Sequence, residues 1–251
     1  MTWSDDGHPL TALVVLALGL LVGWFVPRLI GALPEPEPEP EPDADEPEDR
    51  TSLPPPPPKP LYADLATRPG VSVRTALATG LVGAAIAATT GPDPALVVLL
   101  PLVPIGVALA VIDWHTTLLP TRIIAPTYGL VVAAALLAGA LDGDRDPVVR
   151  AALGWAVMGG FFLVLWLIYP RGLGYGDVRL AGVLGIALGY VGWSTLVVGM
   201  YGAFLIGGLG GALLGLLRLV DRKRFPFGPF MLVAAVLGVV LGPWIADRLG
   251  Y

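Results

Sequence analysis

The sequence predicts an all-α polytopic membrane protein with about eight transmembrane helices and both termini outside. Three observations support this fold class. Hydrophobic residues make up 55% of the 251 positions, and charged residues only 14%. Apolar stretches long enough to cross a hydrocarbon core of about 30 Å recur along most of the chain. Lysine and arginine are distributed unevenly around these stretches, as the positive-inside rule requires.

The predicted spans are separated by turn residues. The first apolar run has no basic region before it and is too long for a signal peptide, so we interpret it as a retained span. Turns rich in Gly, Pro and Asp divide the rest of the apolar sequence. The eight predicted spans are residues 10–33, 73–90, 95–112, 123–141, 148–169, 178–190, 195–219 and 230–245.

Residues 34–60 differ in composition from the rest of the chain. They alternate Pro and Glu and then form a polyproline run, "PEPEPEPEPDADEPEDRTSLPPPPPKP". Such a segment cannot bury a core and is expected to be an extended, solvated linker. The sequence therefore predicts an N-terminal span (1–33), a cytoplasmic linker (34–60) and a membrane-embedded domain (61–251).

The topology follows from the basic residues. If the linker is cytoplasmic and the spans alternate, only Arg145, Arg150 and Arg248 fall on the outer side. Every other Lys and Arg then lies on the cytoplasmic side, which is the asymmetry expected near span ends.

Two aspartates fall at the cytoplasmic edge in this topology. Asp113, in "VIDWHTTLLPTR", ends the third span, and Asp177, in "GLGYGD", opens the sixth. Ionisable residues at membrane depth are costly and usually face the bundle interior or a water-filled cavity. Two carboxylates that share a water can perform acid–base hydrolysis, one accepting a proton while the other donates one. Gly174 and Gly176 would let an extended peptide approach the backbone beside Asp177.

Other interpretations of the aspartates compete with this one. An Asp at a helix start is often only a cap or a favourable charge at the positive end of the helix dipole. The two carboxylates could also form a proton relay in a transporter, or belong to an inactive assembly scaffold. A transporter is expected to show inverted repeats, and none is apparent. His115 could tune the pair but is more often an interfacial side chain.

Three motifs together resemble one known family. "DWHTTLLP", "GLGYGDVRL" and "RFPFGPFMLVAAVLG" are similar, in order and spacing, to motifs of the type IV prepilin peptidases, which are GxGD membrane aspartyl peptidases. Asp113 precedes Pro120 by the seven residues typical of that family. The chain departs from the family pattern at Arg179, which replaces a lysine, and at Thr121, which replaces an acid or amide. Presenilin-type GxGD proteases fit less well, because "FGP" stands where they carry "PAL".

The resemblance implies a function and a set of site residues. Asp113 and Asp177 map onto the two catalytic aspartates of the family. The expected activity is cleavage of the basic leader from a type IV prepilin or pseudopilin precursor at the cytoplasmic face of the inner membrane. Besides the precursor, the expected partner is membrane lipid, and no nucleic acid is expected. The residues expected to shape the site or bind substrate are Gly174, Gly176, Pro120, Arg179, Phe227, Gly228 and Pro229.

Cysteine and metal chemistry are not expected. The chain has no cysteine, which excludes disulfides, thiolate zinc sites and a cysteine nucleophile. No cluster of His, Asp and Glu has the spacing of metal ligands, so neither a metal nor a cofactor is predicted. Bifunctional family members often carry two CxxC pairs after the first span, where this chain has its Pro/Glu linker. We therefore expect peptidase activity without N-methyltransferase activity.

Overall fold

A computed structural model describes residues 8–35, 59–170, 172–216 and 226–250. Within these ranges every regular element is helical and no strand is present, which confirms the all-α prediction. In the first half of the chain the helices are α1 (Pro9–Trp24), α2 (Val26–Gly31), α3 (Tyr62–Thr67), α4 (Val71–Thr90), α5 (Ala95–Leu99) and α6 (Leu102–Thr116). In the second half they are α7 (Thr121–Asp142), α8 (Asp146–Gly154), a π-helical turn (Trp155–Gly159), α9 (Gly160–Ile168), α10 (Tyr175–Val191), α11 (Trp193–Leu216) and α12 (Gly228–Leu249).

Six helical segments of the described chain are long and apolar enough to cross a membrane. They are Pro9–Gly31, Val71–Thr90, Ala95–Thr116, Thr121–Asp142, Asp146–Ile168 and Gly228–Arg248. Helix α10 has 17 residues, about 26 Å of helix, which is less than the thickness of the hydrocarbon core. Six spans are therefore supported, while the count of eight and the position of the termini remain predictions.

Helix ends differ from the predicted boundaries where polar side chains extend a helix. The third predicted span stops at residue 112, but α6 continues to Thr116. The Thr116 hydroxyl donates to the Ile112 carbonyl, and the His115 ring contacts the Val111 carbonyl one turn earlier. These local bonds accommodate polar residues in a helical turn. As a result, Asp113 lies inside the last turn of α6 and not beyond its end.

Helix α10 is the centre of the bundle. Every residue from Leu180 to Tyr190 is buried, and the helix contacts α7, α8, α9, α11 and α12. It approaches α8 through glycines, since a Cβ on Gly154 would collide with the Gly185 carbonyl and a Cβ on Gly185 would collide with the Gly154 carbonyl. Small residues are the usual means of close packing between membrane helices. A helix that is apolar on all sides belongs inside such a bundle.

The first span packs against α4 in the same way. A Cβ on Gly23 would lie 2.6 Å from the Thr75 carbonyl oxygen. The Thr75 hydroxyl donates to the Gly23 carbonyl at 2.8 Å. Contact without side-chain bulk and a hydrogen bond between the helices therefore hold α1 on the bundle.

The two ends of the predicted linker meet at the start of α3. The Glu35 carboxylate accepts hydrogen bonds from the backbone N–H groups of Tyr62 (2.7 Å) and Ala63 (2.9 Å). These are N–H groups that an α-helix leaves without intrahelical partners. Burial, together with the negative charge of Glu35, raises the pKa of the Tyr62 phenol. Residues 36–58 of the linker, Arg171 and residues 217–225 lie outside the described part of the chain.

The Gly154–Gly185 contact leads to a stability prediction. Gly154→Ala adds a methyl group where the Gly185 backbone already lies, so we expect the free energy of unfolding to fall by about 1–3 kcal/mol. Gly160→Ala is the matched control, because no heavy atom lies within 4 Å of its added Cβ. We expect that substitution to be neutral or to stabilise the protein by up to about 1 kcal/mol. Reversible unfolding in detergent measures both, and equal effects would contradict the close-packing account.

Candidate active site

The two predicted aspartates lie at the same end of the bundle. Asp113 is in the last turn of α6 and Asp177 in the first turn of α10. Their exposed fractions are only 4% and 7%, although both are carboxylates. They are close enough to interact electrostatically. The starts of α7 and α12 complete this part of the molecule, which we call the aspartate end.

Asp113 is bonded to the first residue of α12. The Gly228 backbone N–H donates to Asp113 Oδ2 at 2.9 Å in a buried environment. This N–H is one of the donors that a helix start leaves without a partner, and the positive end of the α12 dipole faces the carboxylate. A Cβ on residue 228 would lie 2.8 Å from Asp113 Oδ2. Only glycine lets the two helices meet in this way.

Asp177 makes a similar bond at the start of its own helix. Its Oδ2 accepts a hydrogen bond from the Gly174 N–H at 3.0 Å, and its own N–H donates to the Gly174 carbonyl. Asp177 therefore caps the start of α10, as the capping interpretation predicts. Gly174 has an extended backbone, and a Cβ there would lie 3.1 Å from Asp177 Oδ2.

The Leu119 side chain fills the space between the two motifs. Its Cβ would lie 2.8 Å from a Cβ on Gly176, and its Cδ2 would lie 3.3 Å from a Cβ on Gly228. Leu119 belongs to a tight turn between α6 and α7, in which Thr117 has φ = 54°. This is the one positive φ of a non-glycine residue in the described ranges, a conformation found in few such residues. Pro120 then caps α7, and its carbonyl accepts the N–H of Ile123.

The two departures from the family pattern are partners in space. The Arg179 guanidinium donates a hydrogen bond to the Thr121 hydroxyl, and it lies 5.2 Å from the centre of the Tyr175 ring. The Arg179 carbonyl accepts a hydrogen bond of 2.8 Å from the Tyr128 hydroxyl. These contacts join α7 to the first turns of α10 at a residue two positions after Asp177.

The remaining predicted residues have less direct positions. Phe227 and Pro229 flank Gly228 at the start of α12, and the Phe227 ring packs 6.0 Å from that of Phe162. His115 is exposed and bonds to the backbone of its own helix. No group of three or more His, Asp or Glu side chains in the described ranges is arranged to hold a metal ion.

Sequence reasoning missed two residues of this arrangement. Leu119 belongs to the "LLP" turn, but its side chain has no ionisable or hydrogen-bonding group. Only its contacts with the glycines reveal a role. Tyr128 lies seven residues, or two helical turns, after Thr121 and hence on the same face of α7. That spacing is a usable signal once one residue of the face is known to contact α10.

The fold and the site together define a class of protein, namely a helical membrane protein that holds two buried carboxylates together at one end of its bundle. The type IV leader peptidase family matches residues 100–243, which is more than half of the chain and includes both aspartates and Gly228. The chain belongs to this family.

Three bacterial relatives carry the name prepilin leader peptidase/N-methyltransferase. The Aeromonas hydrophila protein is 32% identical over 177 residues, which cover 66% of this chain and 57% of that protein. The Escherichia coli (strain K12) protein is 31% identical over 142 residues, 55% of this chain and 60% of the relative. The Bacillus subtilis (strain 168) protein is 33% identical over 137 residues, with 54% and 52% covered. The chain thus spans little more than half the length of these relatives. No solved structure matches it.

The Gly228 contact predicts an effect on activity. Gly228→Ala would push the Asp113 carboxylate away from the α12 N–H, and a displacement of about 1 Å at a catalytic group can cost on the order of 100-fold in rate. For the leader-peptidase activity proposed below, turnover of a prepilin leader substrate measures the loss. Gly129→Ala in α7 is the control, since nothing lies within 4 Å of its added Cβ. Full activity of Gly228→Ala would remove this contact from the site.

The Arg179–Thr121 pair predicts coupled effects. For the leader-peptidase activity proposed below, we expect Arg179→Ala and Thr121→Ala each to lower kcat/KM. We expect the double variant to be less impaired than the sum, with a coupling energy of about 0.5–3 kcal/mol. Arg122→Ala, at the adjacent and exposed arginine, is the control. Strict additivity of the two substitutions would show that the pair does not act as a unit.

Proposed function

We propose that this protein is a membrane aspartic endopeptidase that removes the basic leader from a type IV prepilin or pseudopilin precursor. The observation that carries the proposal is the meeting of Asp113 and Asp177, two buried carboxylates from distant parts of the chain, at one end of a helical bundle. Membership of the type IV leader peptidase family and the names of the relatives support it.

In the proposed reaction the two oxygens of each carboxylate have different tasks. Oδ2 of each aspartate accepts a backbone N–H at a helix start. Oδ1 accepts no hydrogen bond from a described residue, and it is not among the buried atoms without partners. Oδ2 therefore orients each side chain, while Oδ1 is the atom that exchanges protons with water and substrate in the proposed reaction.

The reaction needs one proton shared between two carboxylates. The ionised aspartate takes a proton from water, the water oxygen bonds to the scissile carbonyl carbon, and the protonated aspartate gives its proton to the carbonyl oxygen. When the carbon–nitrogen bond breaks, the departing amine receives the proton that was taken from water, and a hydroxyl on the tetrahedral carbon returns its proton to the aspartate that had donated one. Close carboxylates titrate as a pair, so this description assigns no fixed role to either residue.

The proposed location is the cytoplasmic membrane, with the aspartate end facing the cytoplasm. The basic residues support this orientation, because most of them fall on that side when the spans alternate. We place the catalytic domain in residues 61–251, which contain the whole family match. Gly174, Gly176 and Gly228 are proposed to shape the site, because a Cβ on them would meet Asp177, Leu119 and Asp113 respectively.

A proton-coupled transporter or an inactive scaffold is the alternative that the same two aspartates would allow. No observation on the described residues favours it. The two functions differ in outcome, because neither alternative predicts cleavage of a precursor.

The decisive experiment is cleavage of a co-expressed prepilin by the wild type, by Asp113→Asn and by Asp177→Asn. Acid–base groups contribute about 10²- to 10⁴-fold to rates, so each variant should lose detectable cleavage. Asp64→Asn, at an exposed carboxylate on α3, is the control and should cleave normally. Cleavage that survives either active-site substitution at normal membrane levels would return these residues to capping roles.

Mass spectrometry of the cleaved product tests the expectation that the protein has no N-methyltransferase activity. Without cysteines in the segment after the first span, the wild type should release a new N-terminus that carries no methyl group, even when S-adenosylmethionine is supplied. A product heavier by one methyl group would overturn the expectation that this protein is a peptidase alone.

A further inference from the structure

A continuous groove runs from the aspartate end between α4, α6 and α12. It consists of two adjoining cavities of about 250 and 420 Å³. The cavities share four lining residues, which shows that they are parts of one depression. The shared residues are Ala78, Val107, Ala110 and Pro229. We call this the α4–α6–α12 groove.

One end of the groove lies at the aspartate end of the bundle, although neither aspartate lines it. Trp114 and His115, which line it, directly follow Asp113. Pro229, which lines both cavities, directly follows Gly228, the residue whose N–H holds Asp113. A peptide cut at the aspartates could therefore continue into the groove without crossing another helix.

The body of the groove is apolar and follows the helix axes. On α12 its lining extends from Pro229 to Val239, about 15 Å of helix. The lining beyond the mouth includes Val82, Leu102 and Leu232 and contains no charged residue. Val233, which also lines it, is 52% exposed, so the groove opens toward the outside of the bundle.

Small residues make the groove suitable for a helix. Ala78, Ala110 and Ala235 contribute little side-chain bulk along three different helices. In membranes such residues let another helix approach closely, which is how membrane helices gain packing energy. A lipid acyl chain has no need of this arrangement, because it adapts to any apolar surface.

The charges at the mouth decide which part of a substrate enters. Arg68 and Arg74 line the groove at the aspartate end, are exposed, and form no ion pair with a described residue. Like charges near an interface repel, so a basic leader is directed away from this mouth. In the precursors that the family resemblance implies, an apolar helix follows the leader, and this helix meets no such barrier.

We propose that the α4–α6–α12 groove binds the apolar helix that follows the cleavage site of the precursor. This inference rests on the proposed function and specifies the face of the enzyme on which the substrate lies. The scissile bond is then at the carboxylates, the apolar helix runs along α6 and α12 toward Val239, and the leader leaves on the side away from Arg68 and Arg74.

The chain has no cysteine of its own, so in a cross-linking test only the introduced cysteine can form a disulfide. Val82 lines the groove, whereas the adjacent Leu81 does not line it and is 60% exposed. Val82→Cys and Leu81→Cys are introduced separately into the Asp177→Asn chain, which is expected to hold an uncut substrate. Each is co-expressed with a prepilin that carries one cysteine at successive positions of its apolar helix, and membranes are treated with an oxidant.

The expected result is a disulfide-linked product from Val82→Cys that exceeds the product from Leu81→Cys by about tenfold or more, because adjacent helical residues face different directions. Equal products, or more from Leu81→Cys, would overturn the groove assignment. So would the absence of any Val82→Cys product, which is the outcome expected if lipid fills the groove.

A comparison of KM and kcat tests the groove with variants that must be folded, because only a folded chain retains kcat. In the chain with both aspartates intact, Val82→Trp should raise KM for leader cleavage by about tenfold with little change in kcat, the pattern of lost uniform binding. Leu81→Trp, at nearly the same depth, should leave both constants within about twofold. An unchanged KM in Val82→Trp contradicts the groove. Failure of the unmodified chain to cleave any prepilin would instead contradict the proposed function.

Discussion

The hydrogen bond between the Gly228 N–H and the Asp113 carboxylate is the interaction on which the aspartate end depends. A buried carboxylate is costly unless it is paired or hydrogen-bonded. Only 4% of the Asp113 surface is exposed. The start of α12 supplies this donor. The bond also satisfies one of the N–H groups that a helix start leaves without an intrahelical partner. The same bond fixes the ends of α6 and α12 together, which positions one wall of the groove. The "FGP" motif is thus explained by packing and charge, since any side chain at residue 228 would displace the carboxylate.

Capping and catalysis are not competing roles for these aspartates. Each uses one oxygen to hold a helix start, and the cap fixes the direction of the other oxygen. Side chains that exchange protons with a substrate must be held in place by neighbouring groups. A helix start is well suited to this, because its N–H donors are rigid and favour negative charge. The capping interpretation drawn from the sequence was therefore right and still compatible with the catalytic one.

Much of the site could be predicted from the sequence, because each motif stands at the end of an apolar segment. Alternation of the segments alone brings Asp113, Asp177 and the start of α12 to one side. The number of spans could not be predicted in the same way. Helix α10 is apolar enough to resemble a span, but it is short and buried on every side, a property that depends on glycine contacts with α8. The Arg179–Thr121 bond joins residues 58 positions apart, and local pattern contains no information about such a pair. In the sequence, Arg179 and Thr121 are recognisable only as two separate departures from the family motifs.

The two carboxylates are held with unequal rigidity. Asp177 belongs to a helix that contacts six others and is bonded to α7 through Arg179 and Tyr128. Asp113 lies at a helix end, next to a turn in which Thr117 takes a conformation that few non-glycine residues adopt. Its other support is the start of α12, which also forms a wall of the groove. A helix bound in the groove would contact α6 and α12, the two elements that hold Asp113, and it would also contact Leu184, Ala187 and Leu188 of α10, two or more turns after Asp177. Asp177 is therefore the more firmly held of the two carboxylates, and Asp113 is the one whose position depends on how α6 and α12 meet.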